Sequence, residues 1–302
     1  MSRPPAVSCE GAPRDLGLDQ GRFARHQIAT ALRGRPAARW LDRWRSDRGR
    51  PEIRLGRDLG RYFPHMAERT AGLSRGARVP ERSLWGLLAE EVAAESGALL
   101  AVEGDPAGIV RSVRSPGADL LVRRSRPGED FRSIEIAVPG LVPALAGVNE
   151  HGLVAAASWL PSAPGSDTDP CRAPGLLLVQ DCLQRFSGVE GALGWCQRRP
   201  AAGETTLVLA DGSGALVAVH VTSRDRRVIQ PRDGLLAAPH GAERAEALRK
   251  RVANASSRDR AALDAALGAE GEPANLRIHL EAGRPSLGLR SEGATAVEWL
   301  DL

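Results

Sequence analysis

Between residues 97 and 160 the chain is a succession of short apolar runs, "ALLAVEG", "GIVRSVRS", "DLLVRRS", "SIEIAVPG", "LVPALAGVN" and "GLVAAASWL", each cut off by Gly, Pro or charge. Runs this short and this closely spaced read as adjacent antiparallel strands. One joint among them stands out. In "LAGVNEHGLVAAAS", the residues Asn149, Glu150, His151 and Gly152 separate two flanks rich in Leu, Val and Ala. Asn and Gly tolerate the left-handed backbone angles of tight turns, so a β-hairpin is expected, with strands over 141–148 and 152–159.

The texture on either side differs. Residues 1–12 read as one short strand, and the rest of the first 95 residues as mainly helical. Leu18, Phe23, Ile28, Leu32 and Trp40 recur at helical spacing. A second helix is expected over 58–71. A third, in "VPERSLWGLLAEEVAAES", has Pro80 in its first turn and Leu84, Leu87, Leu88 and Val92 on one face. After a polar loop at 161–173, "GLLLVQDCLQRFSGVEGALGWCQRR" returns to helical spacing. Three strands follow in "ETTLVLADGSGALVAVHVTSRDRRVIQ", with a tight turn at Asp211-Gly212-Ser213-Gly214. Two helices over "AERAEALRKRVAN" and "SRDRAALDAALG" and three closing strands complete the chain. There is no internal repeat and no linker. This order predicts one layered α+β domain, two sheets between helices.

Composition sets the bounds. Apolar residues make up 42% of 302, enough for a large core, but aromatics are only 4%, so Leu, Val, Ala and Ile must build it. All but one of the 41 basic residues are Arg, the exception being Lys250, and the net charge is only +4. Most Arg residues sit near acids, which gives a solvated surface and no nucleic-acid stripe. No apolar run approaches the ~20 residues of a membrane span, and the N-terminus has no hydrophobic signal core. A cytoplasmic location is expected. The cysteines Cys9, Cys171, Cys182 and Cys196 form no C-x-x-C pair, so neither a metal nor another cofactor is expected, and the thiols should be free. Cys182 and Cys196 fall on apolar helix faces as core residues, whereas Cys171 lies in a Pro-rich loop.

Several segments, in order, resemble one family. "EGAPRDLGLDQGRFARHQI" is similar to its Gly-rich opening strand and helix. "GVNEHGLVAAAS" is similar to its G-x-N-E-x-G-L hairpin, and "TLVLADGSGALVAVHVT" to its L-A-D-x-x-G strand pair. "ERTAGLSRGARVPERSLWGLL" and "PGLLLVQDCLQRFSGVEGAL" resemble the helical segments between them. The family is the penicillin acyltransferase-like group (acyl-coenzyme A:6-aminopenicillanic acid acyltransferases) of N-terminal-nucleophile (Ntn) hydrolases, relatives of bile-salt and penicillin V amidases. The resemblance implies a four-layer αββα sandwich as a single domain over 1–302. Residues 1–96 would form a helical, propeptide-like region and 97–302 the core. It implies an amide or acyl-thioester substrate attacked by a Cys that begins a strand after a Gly and is freed by self-cleavage. Asn149 would donate its amide to the oxyanion, a contact worth ~3 kcal/mol or more in the transition state.

The residues that carry the chemistry depart from this pattern. After Gly97 comes Ala98, which would stand at the lost nucleophile. The family's Arg-Asn-x-Asp element is matched to Arg123, Arg124 and Arg126, with Arg in both the Asn and the Asp places. Thr206 takes the place of a second Asn, and Pro239-His240 that of an Asn-His pair. The expectation is a fold kept and a reaction lost, in a protein that binds a small acyl or amide ligand. The pocket would lie around Ala98, Arg123, Trp159 and the 161–173 loop. There Arg123, Arg124 and Arg126 would attract a carboxylate or phosphate, such as that of a coenzyme A thioester, with His240 nearby. The alternative is an active amidohydrolase or acyltransferase using Ser96, at the helix-to-strand junction. Cys9 in "SCEG" is a weaker candidate, exposed as a terminal residue only after processing. The protein partner would be a second copy of the chain or an active paralogue.

Overall fold

The strand-rich middle of the chain divides between two sheets. A computed structural model describes residues 3–33, 51–93, 96–113, 120–160, 173–201, 203–239, 243–255, 259–268, 276–291, 294 and 296–302. The first sheet has the order β1-β4-β5-β6-β7-β8-β9-β10. Its strands are β1 (Ala6–Gly11), β4 (Leu121–Pro127), β5 (Ser133–Ala137), β6 (Ala144–Asn149), β7 (Val154–Leu160), β8 (Glu204–Ala210), β9 (Leu216–Val221) and β10 (Arg226–Ile229). The second has the order β11-β2-β3-β12-β13-β14. It is built from β11 (Leu235–Ala238), β2 (Leu99–Val102), β3 (Gly108–Val113), β12 (Leu276–Glu281), β13 (Ser286–Ser291) and β14 (Glu298–Asp301). Every pairing is antiparallel except β1 with β4, which is parallel. The consecutive runs after Gly97 are therefore not one meander, because β2 and β3 join the sheet opposite to β4–β7.

Helices cover both outer faces. On the first sheet lie α1 (Pro13–Phe23), α6 (Leu177–Arg185) and α7 (Val189–Arg198). On the second lie α8 (Glu243–Ala253) and α9 (Arg260–Gly268), which pack on β11, β2 and β3. The inner faces meet where β12 and β13 pack on β5 and β6. The fold is a four-layer αββα sandwich, as the sequence predicted. The remaining N-terminal helices, α2 (Arg25–Arg33), α3 (Pro51–Tyr62), α4 (Pro64–Ala77) and α5 (Glu81–Ala93), pack with one another and through α4 onto α1. The region before residue 96 shares the core with the rest: β1 is an edge strand of the first sheet and α1 lies on its face.

The glycines of the opening motif have a steric cause. Gly17 and Gly21, one turn apart on α1, face Gly72 and Gly76 of α4. A methyl on Gly17 would stand 1.9 Å from the Arg69 carbonyl oxygen, and one on Gly72 1.9 Å from that of Arg14. The two backbones touch, and no larger residue fits. At the β6–β7 turn, Gly152 has φ +79° and its amide donates to the Asn149 carbonyl. A side chain there would also strike Gly283, whose N–H donates to the Gly152 carbonyl at 3.0 Å. This contact joins the hairpin of one sheet to the β12–β13 turn of the other.

The outer face of the second sheet carries a charged cluster beside α9. Asp264 pairs with Arg277 at 2.8 Å and Arg290 at 2.6 Å, and Arg260 pairs with Glu281 at 2.6 Å. Between them His279 is 3% exposed, and its Nε2 has no hydrogen-bond partner. Burial lowers its pKa to about 4; Asp264 opposes the shift, while Arg290, Arg260 and Arg277 add to it. As pH falls past about 6.5 the unfolded chain protonates this ring and the folded chain does not, so stability declines between about 6.5 and 4. Melting curves across that window should show this slope for the wild type and a flatter one for His279→Gln.

Candidate functional site

Where the chain enters β2 it first runs beside β7. The Ser96 N–H donates to the Trp159 carbonyl at 3.3 Å, and the Trp159 N–H donates to Ser96 Oγ at 2.7 Å. Ser96 Oγ also lies 3.1 Å from Ser158 Oγ and from the Trp159 carbonyl, and 3.3 Å from the Gly97 carbonyl. The Ser158 hydroxyl donates to the Gly97 carbonyl at 2.8 Å. Among the described residues no imidazole or carboxylate touches the Ser96 hydroxyl. Its one proton is shared among carbonyls and a second hydroxyl. In the uncut chain these groups supply no base; a chain cut before Ser96 would supply its own α-amino group.

Ala98 faces the helices rather than the other sheet. Its methyl packs with Leu100, Val102, Val110, Leu248 and Leu263, between the second sheet and its helices. Side chains alternate along a strand, so the next residue, Leu99, faces the interior. Leu99 is paired directly with Arg111 of β3. Arg111 is 1% exposed, and its Nε and Nη1 have no hydrogen-bond partner. Its guanidinium lies 5.4 Å from the centre of the Trp159 ring, whose Nε1 donates to the Glu91 carbonyl at 3.3 Å. Burial lowers the Arg111 pKa to about 10 against the opposing charge of Glu91, and raises that of the Glu91 carboxyl against the opposing charge of Arg111.

Arg123, Arg124 and Arg126 do not converge on this point, which corrects the pocket drawn from sequence. β4 lies in the other sheet, and adjacent residues on it point to opposite faces. Arg123 is fully buried toward the helices. Its Nε donates to Glu135 Oε2 at 2.6 Å, Nη1 to Gln20 Oε1 at 2.7 Å and Nη2 to Gln180 Oε1 at 2.5 Å. Glu135 Oε1 accepts from the Ser133 hydroxyl at 2.5 Å and from Gln180 Nε2 at 2.7 Å. Arg69 completes the group through Ser125 at 3.1 Å, with Nε and Nη1 unpartnered. Burial beside Arg123 brings its pKa down to about 10. Burial also raises the pKa of Cys9, in β1. Arg124 instead holds the Asp301 carbonyl at 3.0 and 3.1 Å, and Arg126 pairs with Glu10 at an exposed edge.

Asn149 is likewise committed elsewhere. Its Nδ2 donates to the carbonyls of Leu183 at 3.0 Å and Phe186 at 2.8 Å, at the end of α6. Its Oδ1 accepts from the N–H groups of His151 and Leu153, both at 3.0 Å. Both amide hydrogens are used, so none is left for an oxyanion. Asn149 is the pin that holds the β6–β7 turn closed against α6. Thr206 is buried on β8, with Oγ1 3.2 Å from His220 Nδ1 on β9. Ser158, Thr206 and His220 stand in one row across β7, β8 and β9. His220 escaped the sequence reading because only strand register reveals that row. His240, Cys171 and all but the last residue of the 161–173 loop lie outside the described residues.

Cys182 and Cys196 are buried with their sulfurs 3.5 Å apart, and contact with Cys196 together with burial pushes the Cys182 thiol well up. Among the described residues no group of three or more His, Cys, Asp or Glu side chains is arranged to hold a metal ion. Among them, too, no helix is long and apolar enough to cross a membrane.

No family model matches the chain, and no curated protein matches it. Solved structures do. A penicillin V acylase from Agrobacterium tumefaciens is similar at 18% identity over 68% of this chain and 86% of that one, with a TM-score of 0.45. A mutant of the conjugated bile acid hydrolase from Clostridium perfringens is similar at 11% identity over 68% and 92%, with a TM-score of 0.49. A Caenorhabditis elegans ortholog of N-acylethanolamine-hydrolyzing acid amidase is similar at 10% identity over 60% and 91%, again with a TM-score of 0.49. Likeness at this level assigns no role to any residue of this chain.

Proposed function

We propose that this chain is a non-catalytic relative of the penicillin acyltransferase-like Ntn hydrolases, which keeps the layered scaffold and binds a small acyl or amide ligand without cleaving it. One observation carries the reading: at the head of β2 the side chain opposite Arg111 is that of Leu99, which has no nucleophilic atom. Around it, the Ser96 hydroxyl meets only carbonyls and a second hydroxyl, and Asn149 has no free amide hydrogen. The binding half of the reading rests on Arg111. A buried guanidinium with unpartnered N–H groups is costly, and a carbonyl or carboxylate oxygen of a ligand would satisfy it. A Ser96-dependent amidohydrolase would need self-cleavage before Ser96, the freed α-amino group then serving as base.

The test is a hydrolysis assay on the purified full-length chain with penicillin V and a conjugated bile acid, the substrates named for the similar structures. The expected result is no product above the protein-free blank, and no difference between the wild type and Ser96→Ala. Turnover that disappears in Ser96→Ala would contradict the reading.

A further inference from the structure

A cavity of about 230 Å³ opens where α3, the segment before α6, the α7–β8 connection and the β9–β10 turn meet. None of Ser96, Leu99, Arg111 or Trp159 lines it. It is smaller than the roughly 300–1,000 Å³ of pockets for drug-sized ligands, which suits an occupant of amino-acid size.

Its polar groups are opposite in charge and do not pair with each other. Arg226 is held rigidly by backbone oxygens. Nη1 donates to the carbonyls of Thr222 and Asp225, and Nη2 to those of Arg199 at 3.1 Å and Ala201 at 3.0 Å. Its Nε is buried with no partner, and no described carboxylate makes an ion pair with it. Across the void, Asp58 makes no hydrogen bond or ion pair in the described structure, nor do the hydroxyls of Tyr62 and Ser223 make hydrogen bonds. Ala173, Pro200 and Ala201 supply the apolar wall.

We propose that this cavity binds a small zwitterion of the α-amino-acid class, its ammonium on Asp58, its carboxylate on the hydroxyls of Ser223 and Tyr62 beside the Arg226 charge, and an apolar side chain against the alanines and proline. A zwitterion answers both fixed charges at once: the Arg226 Nη hydrogens are already committed, so its guanidinium acts through charge and the hydroxyls supply the hydrogen bonds to the carboxylate. The proposal is independent of the reading given to the head of β2.

The test is titration calorimetry of the full-length chain with L-leucine, N-acetyl-L-leucine and L-leucinamide. L-leucine should bind below about 10 mM, and each analogue, lacking one charge, should bind about ten-fold or more weakly. Asp58→Asn should weaken L-leucine by a similar factor while leaving N-acetyl-L-leucine unchanged. Since Asp58 makes no bond within the fold, this variant should melt like the wild type. Should it fail to fold, Ser223→Ala gives the second readout, with L-leucine weakened about three-fold. Absence of L-leucine binding, equal binding of all three compounds, or indifference to both substitutions would overturn the proposal.

Discussion

Replacing Glu135 by Leu should cost about 3–5 kcal/mol of folding stability, the usual consequence of removing one partner from a buried ion pair. Two guanidiniums, Arg123 and Arg69, depend on this one carboxylate in a fully buried site. Burial alone would raise the Glu135 pKa. Arg123 and Arg69, with the hydrogen bonds from Ser133 and Gln180, outweigh it and hold the carboxyl below its ordinary value. The stabilisation is therefore complete above about pH 4.5 and is lost as pH falls through the depressed folded value. Urea unfolding at pH 7 measures the cost. Glu135→Gln keeps the shape of the group but not its charge, so a large loss there assigns the effect to the charge. A loss below about 1 kcal/mol in both variants would show that the two arginines find other compensation.

Asn149→Ala should be the second large effect, at about 2–4 kcal/mol, because four hydrogen bonds worth roughly 0.5–1.5 kcal/mol each disappear together. The carbonyls of Leu183 and Phe186 and the N–H groups of the turn lose their partners at once. Asn149→Asp separates the halves: it keeps the two accepted bonds and sets a carboxylate against two carbonyls. An oxyanion residue would behave differently, with stability little changed and turnover lost. Unfolding midpoints for the three proteins decide between these roles, and an Asn149→Ala chain as stable as the wild type would contradict the structural one.

The sequence made the scaffold legible because periodicity is local. The apolar runs between residues 97 and 160 became β2 to β7, and the hairpin formed around Asn149 with strands shifted by one to three residues. β11 escaped notice because a run of four apolar residues carries too little pattern. The parallel edge pairing of β1 and the split of the middle strands between two sheets depend on contacts far apart in the chain. The site was harder for the same reason. "RSVR" at 111–114 and "RRSR" at 123–126 offer similar spacing, and only strand pairing shows that Arg111 is the one opposite β2. Ala98 and Leu99 differ by one position, yet that step moves a side chain from the outer face to the inner one. The identity of Asn149 was readable, but what its amide touches is set by the end of α6. His220 could have been found only by aligning β9 with β8.

A chain that does no chemistry at the head of β2 does not cut itself there, and the intact mass of the freshly purified chain reads this out. One species at the unprocessed 32.1 kDa is expected, stable on prolonged incubation. Two fragments dividing just before Ser96 would contradict it, because Ser96 would then stand at the new N-terminus as the nucleophile.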